Sequence, residues 1–369
     1  MPYNIVCVYT IRCIILFVNT FLCIVVSITK RFAPATVQKR RTCAIISKDA
    51  AQKRAKTIHD RRICLMKYNR LLGHLLCIAS VLIWGTTFIS TKVLLQGFSP
   101  VEILFFRFLL GLAALTSACP KRMTGTTPRQ EFFMALAGLS GVTLYYLFEN
   151  ISLTYTTASN VGIIVSAAPF FTVLLSHLLR QGDRLTLSFF VGFLFAIAGI
   201  GLITFTDISQ LHLNPFGDFL AITAAMLWAV YSIVMKRVNG FGFSVLLVTR
   251  RIFLYGLFFM IPMLFILPFS PDFPKLADPL YLGNFLYLGI VACAVCFAIW
   301  NYALKILGTM ATSIYIYAIP VVTIIASSLL LRESMTAAAL FGSLLTIAGL
   351  ILSEEKNFHW TRRNHHDSI

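Results

Sequence analysis

Charged side chains are scarce in the long apolar stretches of this sequence, and those that occur there are candidates for chemistry. Arg107 lies inside one such stretch, and Glu149 lies near the end of the next. An ionisable group costs roughly 2.5–3.5 kcal/mol at the centre of a bilayer, so each one needs a reason to be there. We predict an Arg107–Glu149 pair beside the outer mouth of a central cavity, with Glu149 as a proton carrier. The alternative is that both side chains snorkel to the nearby interface.

Hydrogen-bonding side chains at positions that lipid would penalise form a second group of candidates. We expect them to face the protein interior, either as ligand contacts or as hydrogen bonds between helices. Pro169 and Pro320 lie in the middle of apolar stretches, where each would kink its helix for packing or for gating. The other members of this group are Trp84, Thr87, Tyr145, Asn150, Asn160, Trp228, Tyr231, Arg251, Trp300, Asn301 and Tyr315.

Several chemistries have no matching motif in the sequence. The acidic residues form no D-x-x-D or paired set and the histidines lie far apart, which disfavours a catalytic or metal site. Cys293 and Cys296 have C-x-x-C spacing but lie in an apolar stretch, so we interpret them as buried thiols. A glycine-rich phosphate loop is missing, so ATP is not the expected energy source. We therefore predict no cofactor, no metal and no catalysis.

Two copies of one pattern make up the body of the chain. The shift between the copies is 144 positions at first, then 151 and finally 150. Under these shifts the equivalent positions include Trp84 and Trp228, Arg107 and Arg251, Asn150 and Asn301, and Pro169 and Pro320. Internal duplication in a membrane protein is typical of a transporter.

The composition indicates a membrane protein. Hydrophobic residues make up 58% of the chain and charged residues 12%, and the mean hydropathy is +0.82. A soluble globule could not be covered with polar surface from this composition. Apolar runs of about 20 residues, the length that crosses a bilayer, predict ten transmembrane helices. Their expected bounds are 72–95, 101–119, 132–152, 157–179, 186–206, 217–236, 243–266, 281–303, 309–331 and 336–353.

Five predicted helices fall in each half, and this odd number makes the duplication an inverted repeat. Lys and Arg, which collect in cytoplasmic loops, support one orientation. If the first of the ten helices starts inside, the inner loops hold eight basic residues and the outer loops hold only Lys275 and Arg332. The sequence thus predicts an all-α, multi-pass protein of the cell membrane with a cytoplasmic C-terminus.

Residues 1–65 differ from this body. Residues 29–70 hold thirteen Lys and Arg against two Asp, so the excess positive charge belongs mainly to this segment. One interpretation is an extra N-terminal helix at about 5–28, followed by a polybasic linker attracted to anionic lipid. The other is a misassigned start, with translation beginning at Met66. The predicted organisation is this segment, two five-helix repeats at 66–214 and 215–355, and a tail at 356–369.

The motifs resemble those of the EamA-like family in the drug/metabolite transporter superfamily. They are Trp84-Gly85-Thr86-Thr87-Phe88 with Lys92, Ser99-Pro100 and Arg107, the repeated Trp228, Lys236 and Arg251, the two mid-helix prolines, and Asp183 and Glu333. The resemblance covers about residues 67–355. It implies ten helices in two inverted halves that move small metabolites, amino acids or drugs. Asp183 departs from the usual Glu, and Glu149 is an unusual charge that bears on the substrate.

We therefore predict a secondary transporter that exports small metabolites by alternating access, driven by a proton gradient or by exchange. Its expected partners are a small-molecule substrate, the lipid bilayer and, if the gradient is used, protons; no nucleic acid is expected. The alternative within the class is uptake or exchange of a sugar phosphate or nucleotide-linked sugar. Arg107, Arg250 and Arg251 are too few and too dispersed to favour it. A membrane-embedded enzyme and a structural scaffold are the rivals from other classes.

Overall fold

The structure is a computed structural model that describes residues 48–156, 158–179, 187–204 and 215–331, and parts of 337–352. The chain divides into two units, Met1–Leu72 and Gly73–Ile369. In the first unit, the described residues belong to the beginning of helix α1 (Lys48–Leu94). The predicted extra helix at 5–28, residues 29–47 of the polybasic linker and the tail at 356–369 lie outside the described residues.

The second unit is built of helices, and the described ranges contain no strand. Among the described residues, six helices are long and apolar enough to cross a membrane: α1 from Arg70, α2 (Pro100–Ala118), α3 (Pro128–Tyr155), α7 (Pro215–Asn239), α8 (Val245–Ile266) and α10 (Pro279–Leu307). The shorter helices are α4 (Ala158–Val165), α5 (Ala168–Leu178), α6 (Leu187–Thr204), α9 (Phe273–Leu276), α11 (Thr309–Ile316), α12 (Ile319–Leu331) and α13 (Leu340–Gly349).

Local capping sets where the second and third helices begin. Ser99 and Glu102 form a capping box at the start of α2, and Thr127 and Gln130 form another at the start of α3. Each box satisfies backbone N–H groups that a helix otherwise leaves unpaired, and a proline follows each cap. Helix α3 therefore starts at Pro128, before the apolar run that predicted a start at residue 132.

The third helix of each half contains a π-helical segment at an equivalent position. In α3 this segment is Leu139–Leu144, and in α10 it is Tyr287–Val295. The shift of 151 places the first segment inside the second. Since π-segments widen the helix locally and are frequent at functional sites, their duplication makes this level of the bundle a candidate functional region.

The fourth apolar stretch of each half is interrupted just before its proline. Helix α4 ends at Val165 and α5 begins at Ala168, with Pro169 in its first turn. Helix α11 ends at Ile316 and α12 begins at Ile319, directly before Pro320. Proline lacks an N–H and clashes with the preceding turn, which accounts for both breaks.

Glycines allow helices of the two halves to approach closely in two equivalent places. A Cβ on Gly111 of α2 would lie 3.1 Å from the Gly289 carbonyl oxygen of α10. A Cβ on Gly138 of α3 would lie 2.9 Å from the Gly256 nitrogen of α8. The second helix of each half thus packs against the third helix of the other half, with almost no space between the backbones.

The fifth helices, α6 and α13, meet in the same reciprocal way. A Cβ on Gly199 would lie 2.5 Å from the Gly342 carbonyl oxygen, and one on Gly349 would lie 2.5 Å from the Gly192 carbonyl oxygen. The beginning of each helix therefore contacts the end of the other, so the two run antiparallel. Small residues at such crossings maximise backbone packing in the absence of a hydrophobic driving force between helices.

Candidate functional site

A cavity of about 20 Å³ lies between the two halves. It has room for about one water molecule, so a larger solute enters only when the surrounding helices move apart. Helices α1, α3 and α7 supply most of its walls, and the broken helices close it near their breaks. The lining residues are Trp84, Thr87, Phe88, Tyr145, Tyr146, Glu149, Val165, Ala168, Trp228, Ile316 and Ile319.

The two equivalent tryptophans of the repeat meet at this pocket. The Trp84 and Trp228 ring centroids are 5.3 Å apart and the rings are nearly perpendicular. Tyr145 lies against Trp228 at 5.0 Å, and Trp300 lies against Trp84 at 4.9 Å. Edge-to-face and tilted contacts of this kind fix the orientation of each ring. The pocket is therefore lined by rigid aromatic faces contributed by both halves.

Glu149 brings the carboxyl group to this aromatic surface. Glu149 is only 2% exposed, and it lies one helical turn after Tyr145 and near the charge of Arg107. The Thr87 hydroxyl, on the facing helix, donates to the Trp84 carbonyl oxygen at 2.7 Å. A buried carboxyl beside an internal cavity can bind a cation or a proton, since both compensate its charge.

Arg107 is completely buried behind the pocket. Its Nε donates to Cys293 Sγ at 3.3 Å, and its guanidinium carbon lies 4.3 Å from the centre of the Tyr146 ring. The two terminal nitrogens have no hydrogen-bond partner among the described residues. The aromatic face compensates part of the desolvation of this cation. Since Arg107 and Glu149 are both buried, the snorkelling alternative is wrong.

Arg107 and Glu149 form no direct ion pair in this conformation, although their charges are close enough to interact. The ion pairs between described side chains are Arg251–Glu131 at 2.8 Å and Lys275–Asp272 at 3.3 Å. The positive charge of Arg107 nevertheless favours the ionised form of Glu149, and the negative charge of Glu149 favours that of Arg107. A direct pair, made or broken as the protein changes conformation, stays a prediction.

Tyr231 and Asn301 form a buried network next to the pocket. The Tyr231 hydroxyl donates to Asn301 Oδ1 at 2.9 Å, and Asn301 Nδ2 donates to the Thr249 hydroxyl at 3.1 Å. These bonds join α7, α10 and α8. The indole nitrogens of Trp228 and Trp300, in contrast, are buried and lack a hydrogen-bond partner among the described residues. Trp228, a lining residue of the pocket, therefore has an unused donor.

The structure does not bring the remaining predicted residues to the pocket. Arg251 binds Glu131, whose other carboxylate oxygen accepts from the Tyr255 hydroxyl at 2.6 Å. The Asn150 amide donates to the Pro100 carbonyl oxygen at 3.1 Å, which ties α3 to the start of α2. Tyr315 is hydrogen-bonded to His74. Pro169 and Pro320 act on the pocket through the helix breaks, and the side chain of Asn160 lies outside the described residues.

Sequence reasoning missed part of the pocket wall and one partner. Phe88, Tyr146, Val165, Ala168, Ile316 and Ile319 line the pocket but were not among the predicted residues. Tyr146 could have been found, since it follows Tyr145 and lies one turn before Asn150. Glu131 could not, because its partner Arg251 is 120 positions away and no local pattern relates them.

No group of three metal-ligating side chains occurs among the described residues. Cys293 and Cys296 are both buried and free, in agreement with the interpretation of buried thiols. Cys296 Sγ lies 3.6 Å from the Ser80 carbonyl oxygen, and Cys293 contacts Arg107. These thiols serve as packing and weak hydrogen-bonding groups.

Comparison with protein families gives two matches that together span most of the chain. The EamA-like transporter family matches residues 71–205 and again residues 215–354. A solved crystal structure superposes with a TM-score of 0.60 at 20% identity, covering 78% of this chain and 96% of that one. At this identity the likeness establishes the fold alone.

Similar proteins carry transporter names. An uncharacterized transporter of Archaeoglobus fulgidus is 30% identical over 288 residues, which cover 77% of this chain and 97% of that protein. A probable terminal-alkyne amino-acid exporter of Streptantibioticus cattleyicolor is 25% identical, with 74% and 91% covered. A probable amino-acid metabolite efflux pump of Escherichia coli is 24% identical, with 75% and 93% covered.

Proposed function

This chain belongs to the EamA-like transporter family, and we propose that it exports a small metabolite across the cell membrane through the pocket between its two halves. The observation that carries this proposal is the meeting of the equivalent residues Trp84 and Trp228 at one pocket. A site built jointly by two repeats is where transporters of this architecture bind their cargo. A membrane-embedded enzyme is the disfavoured alternative.

Alternating access would follow from two inverted five-helix repeats, residues 66–214 and 215–355. The reciprocal contacts of Gly199 with Gly342 and of Gly349 with Gly192 support this arrangement, because equivalent helices meet antiparallel. The duplicated π-segments and proline breaks support it too. Rocking of one repeat against the other would open the pocket to each side in turn. In this arrangement ten helices cross the membrane and the C-terminus is cytoplasmic.

Polar contacts at opposite ends of the helices are the proposed gates. Near the loop that carries Lys121 and Arg122, Glu131 binds Arg251 and Tyr255 and so ties α3 to α8. At the other end, Glu102 accepts from the Ser270 backbone N–H at 2.7 Å and ties α2 to the loop after α8. The basic loop assigns the first gate to the cytoplasmic side. The Arg251–Glu131 ion pair is partly exposed and contributes little to stability. Both contacts can exchange during the cycle.

Glu149 is the proposed proton-coupling residue. It is the charged residue in the pocket lining among the described residues, and its burial makes its charge sensitive to what the pocket holds. Binding a proton and binding a cationic cargo group would both compensate this charge. Competition between the two would link export to the inward proton gradient.

Counterflow in proteoliposomes tests the proposal. Vesicles containing purified protein and loaded with one unlabelled metabolite at a time, amino acids and small amines included, are diluted into its labelled form. We expect transient accumulation for at least one solute, a loss on Glu149→Gln in uptake driven by a pH gradient, and no loss on Asp272→Asn in an exposed loop. Vesicles that accumulate no solute, although the reconstituted protein is folded, would show that the chain is not a transporter of small metabolites.

A further inference from the structure

The pocket has the chemistry of a cation site. Glu149 is the charged member of its described lining, and five of the lining residues are aromatic: Trp84, Phe88, Tyr145, Tyr146 and Trp228. Aromatic faces carry negative electrostatic potential and attract organic cations, most strongly where water is excluded. The Glu149 carboxylate and the aromatic faces around it therefore both attract a cation.

The rings are arranged as walls of an enclosure and not as a single stack. Trp84 and Trp228 are nearly perpendicular at 5.3 Å, and Tyr145 is tilted by 51° to Trp228 at 5.0 Å. Tyr145 and Tyr146 are again close to perpendicular, at 4.6 Å. A flat aromatic ligand fits best between parallel faces. Walls at several angles instead suit a compact, roughly spherical group such as an alkylated ammonium, which enters when the helices around this cavity of about 20 Å³ move apart.

We propose that this pocket binds the ammonium group of a small organic cation that lacks a carboxylate, such as an amino alcohol or a quaternary amine. The inference rests on the proposed function, since it names the substrate class of that same site. It departs from the amino-acid cargo that the names of the similar exporters suggest.

An amino-acid carboxylate would have no cationic partner in the pocket. Arg107 is the nearby cation, but it is fully buried behind Tyr146, with Nε bonded to Cys293. The unused donor among the lining residues is the buried indole N–H of Trp228. One neutral N–H suits a hydroxyl or carbonyl oxygen, whereas a buried carboxylate requires a charged partner or several donors.

The buried charges also suit exchange of a proton for a monovalent cation. With Arg107 cationic, the region carries the same total charge whether Glu149 holds a proton or faces a bound ammonium. The two loaded states therefore differ little in the cost of burying charge, which is the largest cost inside a membrane protein. A zwitterion carries no net charge, so its binding would not compensate the charge of Glu149. Its amino group would be attracted to the Glu149 carboxylate, but its own carboxylate would find no cationic partner in the pocket.

Three ligands of nearly equal shape test the proposal on purified protein. Choline is a quaternary ammonium with a hydroxyl, 3,3-dimethylbutan-1-ol replaces its nitrogen with carbon, and glycine betaine replaces its hydroxymethyl group with a carboxylate. Binding is measured by isothermal titration calorimetry and by quenching of tryptophan fluorescence. We expect choline to bind at least about tenfold more tightly than either analogue, as a desolvated cation–π contact allows.

Three variants assign the binding to this pocket. Glu149→Gln should weaken choline at least tenfold, and Glu149→Asp should retain part of the affinity if the amide variant folds poorly. Trp228→Phe keeps a ring but loses the N–H, so it should weaken choline more than tetramethylammonium, which has no hydroxyl. Asp272→Asn, a carboxylate of an exposed loop that can keep its capping role, should leave both ligands unaffected.

Each contrary result has a separate meaning. Equal binding of choline and its carbon analogue would show that the pocket selects shape and would overturn the proposal, as would tighter binding of glycine betaine. Absence of binding by folded protein would overturn it as well. If counterflow then succeeds with another solute, the transporter function stands and only the substrate class falls. If choline binds but no solute exchanges, the failure lies in the transport function.

Discussion

The coupling between the two buried charges, Arg107 and Glu149, gives a prediction with a defined size. Arg107→Met removes a cation–π contact worth about 2 kcal/mol when desolvated. It also leaves the buried Glu149 without its compensating charge, a loss that reaches about 3–5 kcal/mol when a directly paired charge is removed. Part of this is returned, because the two unpaired guanidinium nitrogens no longer have to be buried.

The double variant separates these contributions. In Arg107→Met/Glu149→Gln both charges are gone, so the Glu149 penalty disappears while the lost contact with Tyr146 remains. We expect the double variant to be more stable than the sum of the single changes predicts, by a coupling energy of about 1–3 kcal/mol. The measurement is equilibrium unfolding in mixed detergent micelles, followed by far-ultraviolet circular dichroism, for the parent, both single variants and the double variant.

The repeat supplies a matched control for this cycle. Arg251 occupies the position equivalent to Arg107, but it binds Glu131 near one end of the helices and is 31% exposed at the side chain. Arg251→Met combined with Glu149→Gln should therefore be additive within about 0.5 kcal/mol. Additivity of the Arg107 cycle as well would refute the reasoning, because it would mean that the two buried charges do not sense each other.

Three further predictions concern packing, gating and the helix breaks. Gly138→Ala places a Cβ 2.7 Å from the Ile252 carbonyl oxygen, so it should lower the free energy of unfolding by about 1–3 kcal/mol in a thermal unfolding assay. Gly162→Ala is the control in the same assay, because a Cβ there has its nearest neighbours at 3.6 Å. Arg251→Gln should change the stability by less than about 1 kcal/mol, as for exposed ion pairs, yet alter the initial rate of counterflow; an unchanged rate would remove this contact from the proposed gate. Pro169→Ala allows the break before α5 to close and should slow counterflow while the protein stays folded, and an unaffected rate would assign the break to packing alone.

Hydropathy predicts the long helices well, because lipid forces each backbone group to bond within its own helix. The expected spans at 101–119 and 243–266 differ by only a few residues from α2 and α8. Helix α3 extends beyond its apolar run because Thr127 and Gln130 cap it in polar surroundings. This capping box is visible in the sequence, but apolar runs alone do not reveal it, because its residues are polar.

The pocket was only partly predictable, for a different reason. Trp84 and Trp228 stand out as equivalent residues, and Glu149 stands out as a charge in an apolar stretch. Their meeting at one cavity depends on how α1, α3 and α7 pack, and single-sequence patterns do not contain that information. The aliphatic members, Ile316 and Ile319, look like any other lipid-facing or core residues. Only the break between α11 and α12 brings them to the pocket.

Duplication accounts for the scaffold but not for the chemistry of the site. The shift that relates the two proline breaks, 151 positions, places Glu149 on Trp300 and Tyr146 on Phe297. Trp300 packs against Trp84 in the aromatic cluster. Its equivalent in the first half, Glu149, supplies a carboxylate to the pocket. One half thus contributes a charge and the other an indole. A single carboxylate can compensate one positive charge at a time, so the proposed exchange would move one proton for each monovalent cation. This exchange moves no net charge, so its stoichiometry is measured in proteoliposomes from the cation gradient that balances an imposed pH gradient at zero net flux. The ratio would differ from one-to-one only if a second titratable group outside this pocket took part.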